Sequence, residues 1–224
     1  MKIVKNLIAF MLCIITISMF FTKTFADGEI PKTVATALDS ANEQKETGLS
    51  VTAEKAVLYE ASTGTILYNK KADEKAPVSY LTKLMTILLT SEKIETDKKF
   101  TLDKKLITSS TANSKQGSQI WLNVGEEIAV EELLKSITIG NANDACTVLA
   151  EGISGSEEAF VQLMNERAEA LGMNDTVFVD CSGISDSNIS TAKDIAVLSA
   201  ELLKHGNLKG YFTAWMDTVR GGNA

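Results

Sequence analysis

Residues 77–89 read PVSYLTKLMTILL, and this stretch predicts the first long helix of the domain. Its apolar side chains recur every three to four residues, which is the period of one helix face, at Leu81, Leu84, Met85, Leu88 and Leu89. Pro77 lies just ahead of the pattern and favours a helix start there. The stretch therefore predicts a helix that faces almost wholly into the core.

The same stretch places a lysine one helical turn after a hydroxyl group. Serine acyl-transferases need a serine and a lysine in that relation, so that the amine can take the hydroxyl proton. Lys83 supplies the amine, but the residue three positions before it is Tyr80, whose phenol is longer and a weaker nucleophile toward amides. Ser79, four positions before Lys83, lies on the same helix face, about 1.5 Å further along the axis. Because such a displacement lowers rates steeply, we expect Ser79 to be a poor substitute nucleophile.

Two strand-like runs precede this helix and several helical runs follow it. Residues 56–60 and 65–69 predict a β-hairpin with Gly64 in its turn. Helices are predicted over 130–139, 144–153, 156–171 and 191–203. Gly172 is a helix stop signal, and Thr191 with Asp194 resembles a capping box.

The first 26 residues predict a cleaved secretory signal peptide. Lys2 and Lys5 form a positive start, residues 7–21 are mostly apolar, and residues 24–26 end in small side chains suited to cleavage. The run is shorter than the roughly 20 residues of a membrane span, although an uncleaved N-terminal anchor is the alternative. We therefore expect residues 27–52 to be a linker, the domain to begin at Ala53, and the protein to act outside the cytoplasm.

Charge and composition argue against several classes of function. The chain carries 22 basic and 29 acidic residues, a formal charge of -7, and cleavage would remove three lysines and leave -10. Such a surface repels nucleic acid and anionic wall polymers, so neither is expected as a partner. His205 is the single histidine and no HExxH or CxxC pattern occurs, so we expect no metal and no cofactor. Cys146 and Cys181 are compatible with a disulfide or with two buried free thiols.

Six blocks of sequence, in order, resemble the low-molecular-mass penicillin-binding proteins that act as serine D-alanyl-D-alanine carboxypeptidases, in particular the sporulation type. The blocks are AVLYEASTGTILYNKKADEK (56–75), LTKLMT (81–86), GSQIWLNVGEEIAVEELLKSITIGNANDA (117–145), AEGISGSEEAFVQLMNERAEALGMNDTVF (150–178), STAKDIAVLSAELL (190–203) and YFTAWMDTVRGG (211–222). The resemblance implies the α/β (α+β) fold of penicillin-binding proteins and β-lactamases. It also implies a secreted enzyme that removes the terminal D-alanine of peptidoglycan stem pentapeptides through a serine acyl-enzyme.

The resemblance also assigns roles in the family's first two motifs. In SxxK the serine is the nucleophile and the lysine its proton acceptor, so Lys83 keeps the base position and Tyr80 occupies the nucleophile position. In SxN the serine relays protons and the asparagine binds the substrate amide; here Asn141 occupies the serine position and Asn143 keeps the binding position. An amide cannot relay a proton as a hydroxyl does. Alternatively, both asparagines cap the helix predicted to begin near residue 144.

The third motif, KTG, occurs nowhere in the 224 residues. The resemblance places it on a strand at the far wall of the cleft, where it binds the substrate carboxylate beside strands that pair with the hairpin. We therefore expect residues 53–224 to be a partial, truncated catalytic domain whose C-terminal sheet strands are missing. A hairpin left alone would be marginal and its edge exposed.

Three functional interpretations stay open. The first is an inactive homologue of the carboxypeptidase, and the second is a non-catalytic peptidoglycan- or partner-binding protein that keeps the cleft as a groove. The third is a residual enzyme that uses Ser79. The expected ligand is a stem peptide, or a β-lactam if the cleft survives, and the oligomeric state is left open. For Trp121 and Trp215, packing in the core or at its rim is favoured over stacking on sugars.

Overall fold

The predicted β-hairpin is present in the computed structural model, which describes residues 50–220. Strands β1 (Ala56–Glu60) and β2 (Thr65–Lys70) pair antiparallel. Gly64 closes the turn with a φ of 73°, which glycine adopts without a Cβ clash, and its N–H donates to the Glu60 carbonyl at 2.9 Å. The predicted signal peptide and residues 27–49 of the predicted linker lie outside the described residues.

Two more short antiparallel pairs complete the strands of this part of the chain. Strand β3 (Ala76–Pro77) pairs with β6 (Ile189–Ser190), and β4 (Lys105–Ile107) pairs with β5 (Glu127–Ala129). The first of these pairs lies directly before the LTKLMT stretch. It therefore joins the start of the first long helix to a segment more than a hundred residues later.

The five predicted helices are all present, together with two short helices that the sequence did not predict. They are α1 (Lys83–Thr96), α2 (Ser110–Asn113), α3 (Val130–Gly140), α4 (Asn143–Ser154), α5 (Glu157–Ala170), α6 (Ala192–Leu202) and α7 (Lys209–Thr213), with 3₁₀ turns at Ser79–Thr82 and Gly206–Leu208. The predicted starts of α5 and α6 are confirmed, because the hydroxyls of Ser156 and Thr191 accept hydrogen bonds from the N–H groups of Ala159 and Asp194. None of the helices within residues 50–220 is both long and apolar enough to span a membrane.

Helix α4 lies at the centre of the core, since all its residues from 143 to 150 are buried. It packs against α1, α3 and α5, and α1 also packs against α6. The core-facing prediction for α1 holds for Met85, Leu88 and Leu89, but Leu81 is 37% exposed. The reason is that Leu81 belongs to the 3₁₀ turn, whose three-residue period rotates it away from the face that the α-helix buries.

Candidate active site

Lys83, the retained lysine of the first motif, is buried at the start of α1. Its Nζ donates to the carbonyl oxygen of Ser182 at 2.6 Å. Burial lowers the pKa of Lys83, and this outweighs the opposing charge of Asp180 and of the nearby thiols. The Cys146 thiol adds little at neutral pH, because its own burial raises its pKa to about 12. A lowered pKa suits a lysine that must be neutral to accept a proton.

Tyr80 and Ser79 lie in the 3₁₀ turn just before Lys83. The phenol of Tyr80 points outward and is 63% exposed. Ser79 is also exposed and has a left-handed backbone with a φ of 44°, which is uncommon for a residue with a side chain. Among the hydrogen bonds of residues 50–220, none joins the Lys83 amine to either hydroxyl. The structure therefore places Ser79 and Tyr80 directly before Lys83 without putting a hydroxyl nucleophile on the base.

A loop of residues 180–188 provides the contacts that the lysine does make. The Asp180 carboxylate orders this loop by accepting hydrogen bonds from the backbone N–H groups of Ser182 and Ser185, both at 2.8 Å, and from Gly183. Burial alone would raise the pKa of Asp180, but these bonds and one from Asn188 lower it below its usual value.

Helix α1 forms a second hydrogen bond with the same loop. The Thr86 hydroxyl, one turn after Lys83, donates to the Cys181 carbonyl at 2.6 Å. Sequence reasoning considered Cys181 only as a possible partner of Cys146 and missed Asp180 beside it. An aspartate two residues before a serine and three before a glycine is a recognisable loop-ordering pattern, and that signal would have found it.

The second-motif residues are used differently from each other. Asn141 is exposed and ends α3 in a left-handed conformation with a φ of 56°, a position that asparagine tolerates well. Asn143 is buried, its Nδ2 donates to the Gln116 carbonyl at 2.6 Å, and its N–H donates to the Ser118 carbonyl at 2.7 Å. The alternative in which both asparagines cap the start of α4 is wrong. The residue that precedes α4 is Ala142, which has no capping side chain.

An acidic side chain links the two loops around Lys83. Glu157 forms an ion pair with Lys115 on the loop that Asn143 holds, and its other oxygen accepts from the Cys181 N–H at 3.3 Å and thiol at 3.2 Å. Cys146 and Cys181 are both buried free thiols, which corrects the disulfide alternative. The buried groups around Lys83 thus form one connected network across α1, α4, α5 and two loops.

A separate group of potential metal ligands lies away from this site. Ligand atoms of Glu92, Glu201 and His205 lie within 4.8 Å of one another. Arg167 already forms ion pairs with both glutamates, at 2.7 and 3.0 Å. The His205 Nδ1 atom lies 3.0 Å from the Glu95 carboxylate. The charges of this group are thus already compensated by protein side chains.

Comparison with known proteins agrees with the resemblance. Residues 40–220 match the peptidase S11 family model, described as D-alanyl-D-alanine carboxypeptidase. D-alanyl-D-alanine carboxypeptidase DacF of Bacillus subtilis (strain 168) is 41% identical over 169 residues, which are 75% of this chain and 43% of that protein. DacC of Escherichia coli (strain K12) is 32% identical over 169 residues, covering 73% of this chain and 42% of DacC.

Solved structures give the same fold. The D-alanyl-D-alanine carboxypeptidase DacD from Francisella tularensis superposes with a TM-score of 0.71 at 28% identity, over 77% of this chain and 43% of that one. Penicillin binding protein 5 from Haemophilus influenzae superposes with a TM-score of 0.67 at 26% identity, over 71% and 47%. The chain thus spans less than half the length of each of these four relatives. The predicted penicillin-binding-protein fold is confirmed over the region that is shared.

Proposed function

The chain belongs to the D-alanyl-D-alanine carboxypeptidase family, and on that premise we propose that it is a catalytically silent homologue directed at peptidoglycan stem peptides. In the family reaction a serine hydroxyl attacks the carbonyl of the penultimate D-alanine and the terminal D-alanine leaves. Water then releases the acyl group. In this chain Lys83 would hold the base position, Tyr80 the nucleophile position, Asn141 the proton-relay position and Asn143 the substrate-binding position.

The observation that carries the proposal is the hydrogen bond from Lys83 to the Ser182 carbonyl, made while Ser79 is turned into a left-handed conformation. Three residues separate Ser79 from Lys83, whereas SxxK has two. The preceding strand and the following helix are both held in place, so the additional residue must be absorbed in the turn between them. Measured from Ser79, the motif has one residue more than SxxK before the base, so the Ser79 hydroxyl is displaced relative to the Lys83 amine, while Tyr80 occupies the nucleophile position itself.

A non-catalytic binding protein is the second candidate. It is favoured by the continuous core beneath the site, in which α1 and α4 are buried together with Phe100, Phe160 and Phe178. A chain with such a core should unfold cooperatively, whereas a collapsed fragment should show no sharp transition and should expose apolar surface to dyes. Thermal unfolding of the purified protein followed by near-ultraviolet circular dichroism separates these two states.

The test of catalysis is mass spectrometry of the purified protein after incubation with a fluorescent penicillin. The unmodified chain is compared with Tyr80→Ser and with a deletion of Tyr80, each of which places a serine three residues before Lys83. Lys83→Met in the deletion background is the matched control, because it removes the base and leaves the serine. We expect no adduct on the unmodified chain and an adduct on the deletion variant that the Lys83→Met change abolishes.

Each other outcome has a definite meaning. An adduct on Ser79 of the unmodified chain would overturn the proposal and make this a residual enzyme. If no variant forms an adduct, repairing the first motif is not enough to restore acylation, and this result would favour the non-catalytic binding protein. Location outside the cytoplasm, a signal peptide over residues 1–26 and a linker over 27–52 are further parts of the proposal. The mass of the N-terminal peptide, measured on protein exported from a bacterial host, tests the location and the signal-peptide cleavage site.

A further inference from the structure

Trp121 is held in a conformation that its own side chain disfavours. Its backbone is left-handed, with a φ of 59°, and its indole is 73% exposed. Bulky residues rarely adopt this backbone conformation, and a large apolar ring gains nothing by projecting into water. The sequence favoured packing of Trp121 in the core or at its rim, and an exposure of 73% excludes the core. Such an outlier persists only where the surrounding structure maintains it.

The groups that maintain it act on both sides of Trp121. The buried Asp144 carboxylate accepts hydrogen bonds from the N–H groups of Ile120 and Leu122, both at 3.2 Å to Oδ2. Arg220 donates to the carbonyl oxygens of Ile120 at 2.9 Å and Trp121 at 3.3 Å. Leu122 is 1% exposed and fixes the next position in the core. Turning the indole inward would break these contacts, so the ring is presented outward by the fold.

The presented ring lies on the loop that Asn143 of the candidate active site holds. Asn143 holds the same loop through the carbonyls of Gln116 and Ser118. Trp121 follows Ser118 by three residues, a reach of at most about 11 Å along an extended chain. An extended stem pentapeptide spans about 17 Å by the same measure. The two lengths are of the same order, so the indole can lie at the distance from the site that a sugar carrying a bound stem peptide would have.

We propose that Trp121 stacks on an uncharged pyranose ring of the glycan strand from which the stem peptide branches; this rests on the proposed function. The C–H face of a sugar ring is apolar and slightly positive, and it complements the negative face of an indole. The amide side chains of Gln119 and Asn123 flank Trp121 in sequence and supply neutral hydrogen-bonding groups. A neutral ligand also suits a chain with a formal charge of -7, which repels anionic polymers.

The test is a titration of the purified protein with hexa-N-acetylchitohexaose, followed by the indole N–H signals of the ¹⁵N-labelled protein. This probe has the ring chemistry of the glycan but no peptide. Trp215 is the internal control, because it is 84% exposed and lacks the paired contacts that hold Trp121. We expect the Trp121 signal to shift saturably, while the Trp215 signal does not. Trp121→Ala should weaken binding about tenfold, and Trp215→Ala by less than about twofold.

A second variant separates ligand binding from folding. Trp121→Gly removes the ring and also relieves the left-handed backbone, so it should raise the thermal midpoint while it weakens binding as much as Trp121→Ala does. An unshifted Trp121 signal, or equal losses from the two alanine variants, would overturn the inference. The penicillin reaction does not involve the glycan, and the sugar titration does not involve acylation. Failure of one proposal is therefore read independently of the other.

Discussion

The Nζ atom of Lys83 lies 2.6 Å from the carbonyl oxygen of Ser182, a hydrogen bond between residues 99 positions apart. This hydrogen bond joins the first turn of α1 to the loop that Asp180 orders. It also engages the Lys83 amine, which a serine nucleophile would need as its proton acceptor. The lysine is thus both the retained chemical group of the family and a structural tie. Its ionisation should therefore be measurable as a change in stability.

Replacing Lys83 by methionine should change how stability depends on pH. Burial lowers the pKa of Lys83 below 10.5 in the native protein. At pH values between the native pKa and 10.5, the unfolded chain therefore binds the Lys83 proton more tightly than the native protein does. The free energy of unfolding of the unmodified protein should therefore rise, relative to Lys83→Met, as the pH increases from the native pKa toward 10.5. Urea denaturation of both proteins at about pH 7 and about pH 10 measures the difference. An identical difference at both values would contradict the lowered pKa.

Adding a methyl group at Gly183 should be strongly destabilising. A Cβ there would lie 1.9 Å from the Ser79 carbonyl oxygen, and the backbone φ is 79°. We expect Gly183→Ala to lower the free energy of unfolding by more than about 2 kcal/mol. Gly155→Ala is the matched control, because its φ is 85° but a Cβ there meets nothing within 4 Å. It should cost only the left-handed backbone term, about 1 kcal/mol, so equal losses in chemical denaturation would exclude the steric contact.

Neutralising Asp180 should loosen the loop that holds Lys83. The carboxylate accepts several hydrogen bonds and its pKa is lowered, so it stabilises the fold above pH 3.8 and loses that effect as the pH falls through its native pKa. Asp180→Asn should lower the free energy of unfolding by about 1.5–3 kcal/mol at neutral pH. The difference between the two proteins should shrink in acid, as measured by denaturant titration across that range. If the difference in the free energy of unfolding does not change with pH, the loss comes from altered packing or hydrogen-bond geometry and not from the charge of Asp180.

The buried thiols should be unreactive until the protein unfolds. Cys146 and Cys181 are fully buried, and burial raises the pKa of Cys146 to about 12, so little thiolate is present at neutral pH. Iodoacetamide without reductant should modify neither residue in buffer and both in concentrated urea, as counted by peptide mass spectrometry. Failure to label either residue in urea would instead indicate a disulfide.

Local sequence signals predict most of the helices and the β-hairpin. The hairpin turn at Gly64, the caps at Ser156 and Thr191, and the 3.6-residue period of α1 all act between residues a few positions apart, so the sequence predicts them well. The error at Leu81 and the capping error at Asn141 both concern single residues at the ends of elements. There a 3₁₀ turn and a left-handed C-terminal residue compete with the simpler pattern.

What the sequence by itself determined is the order of the hairpin and the five longest helices, the family, and the identity of the motif residues Tyr80, Lys83 and Asn143. Only the tertiary structure decided what those residues contact. The Ser182 carbonyl that holds Lys83, the Gln116 carbonyl that holds Asn143 and the Asp144–Arg220 contacts that present Trp121 join segments 22 to 100 residues apart. Hydrogen-bond geometry between such segments depends on how the whole core packs, and local periodicity carries no information about it.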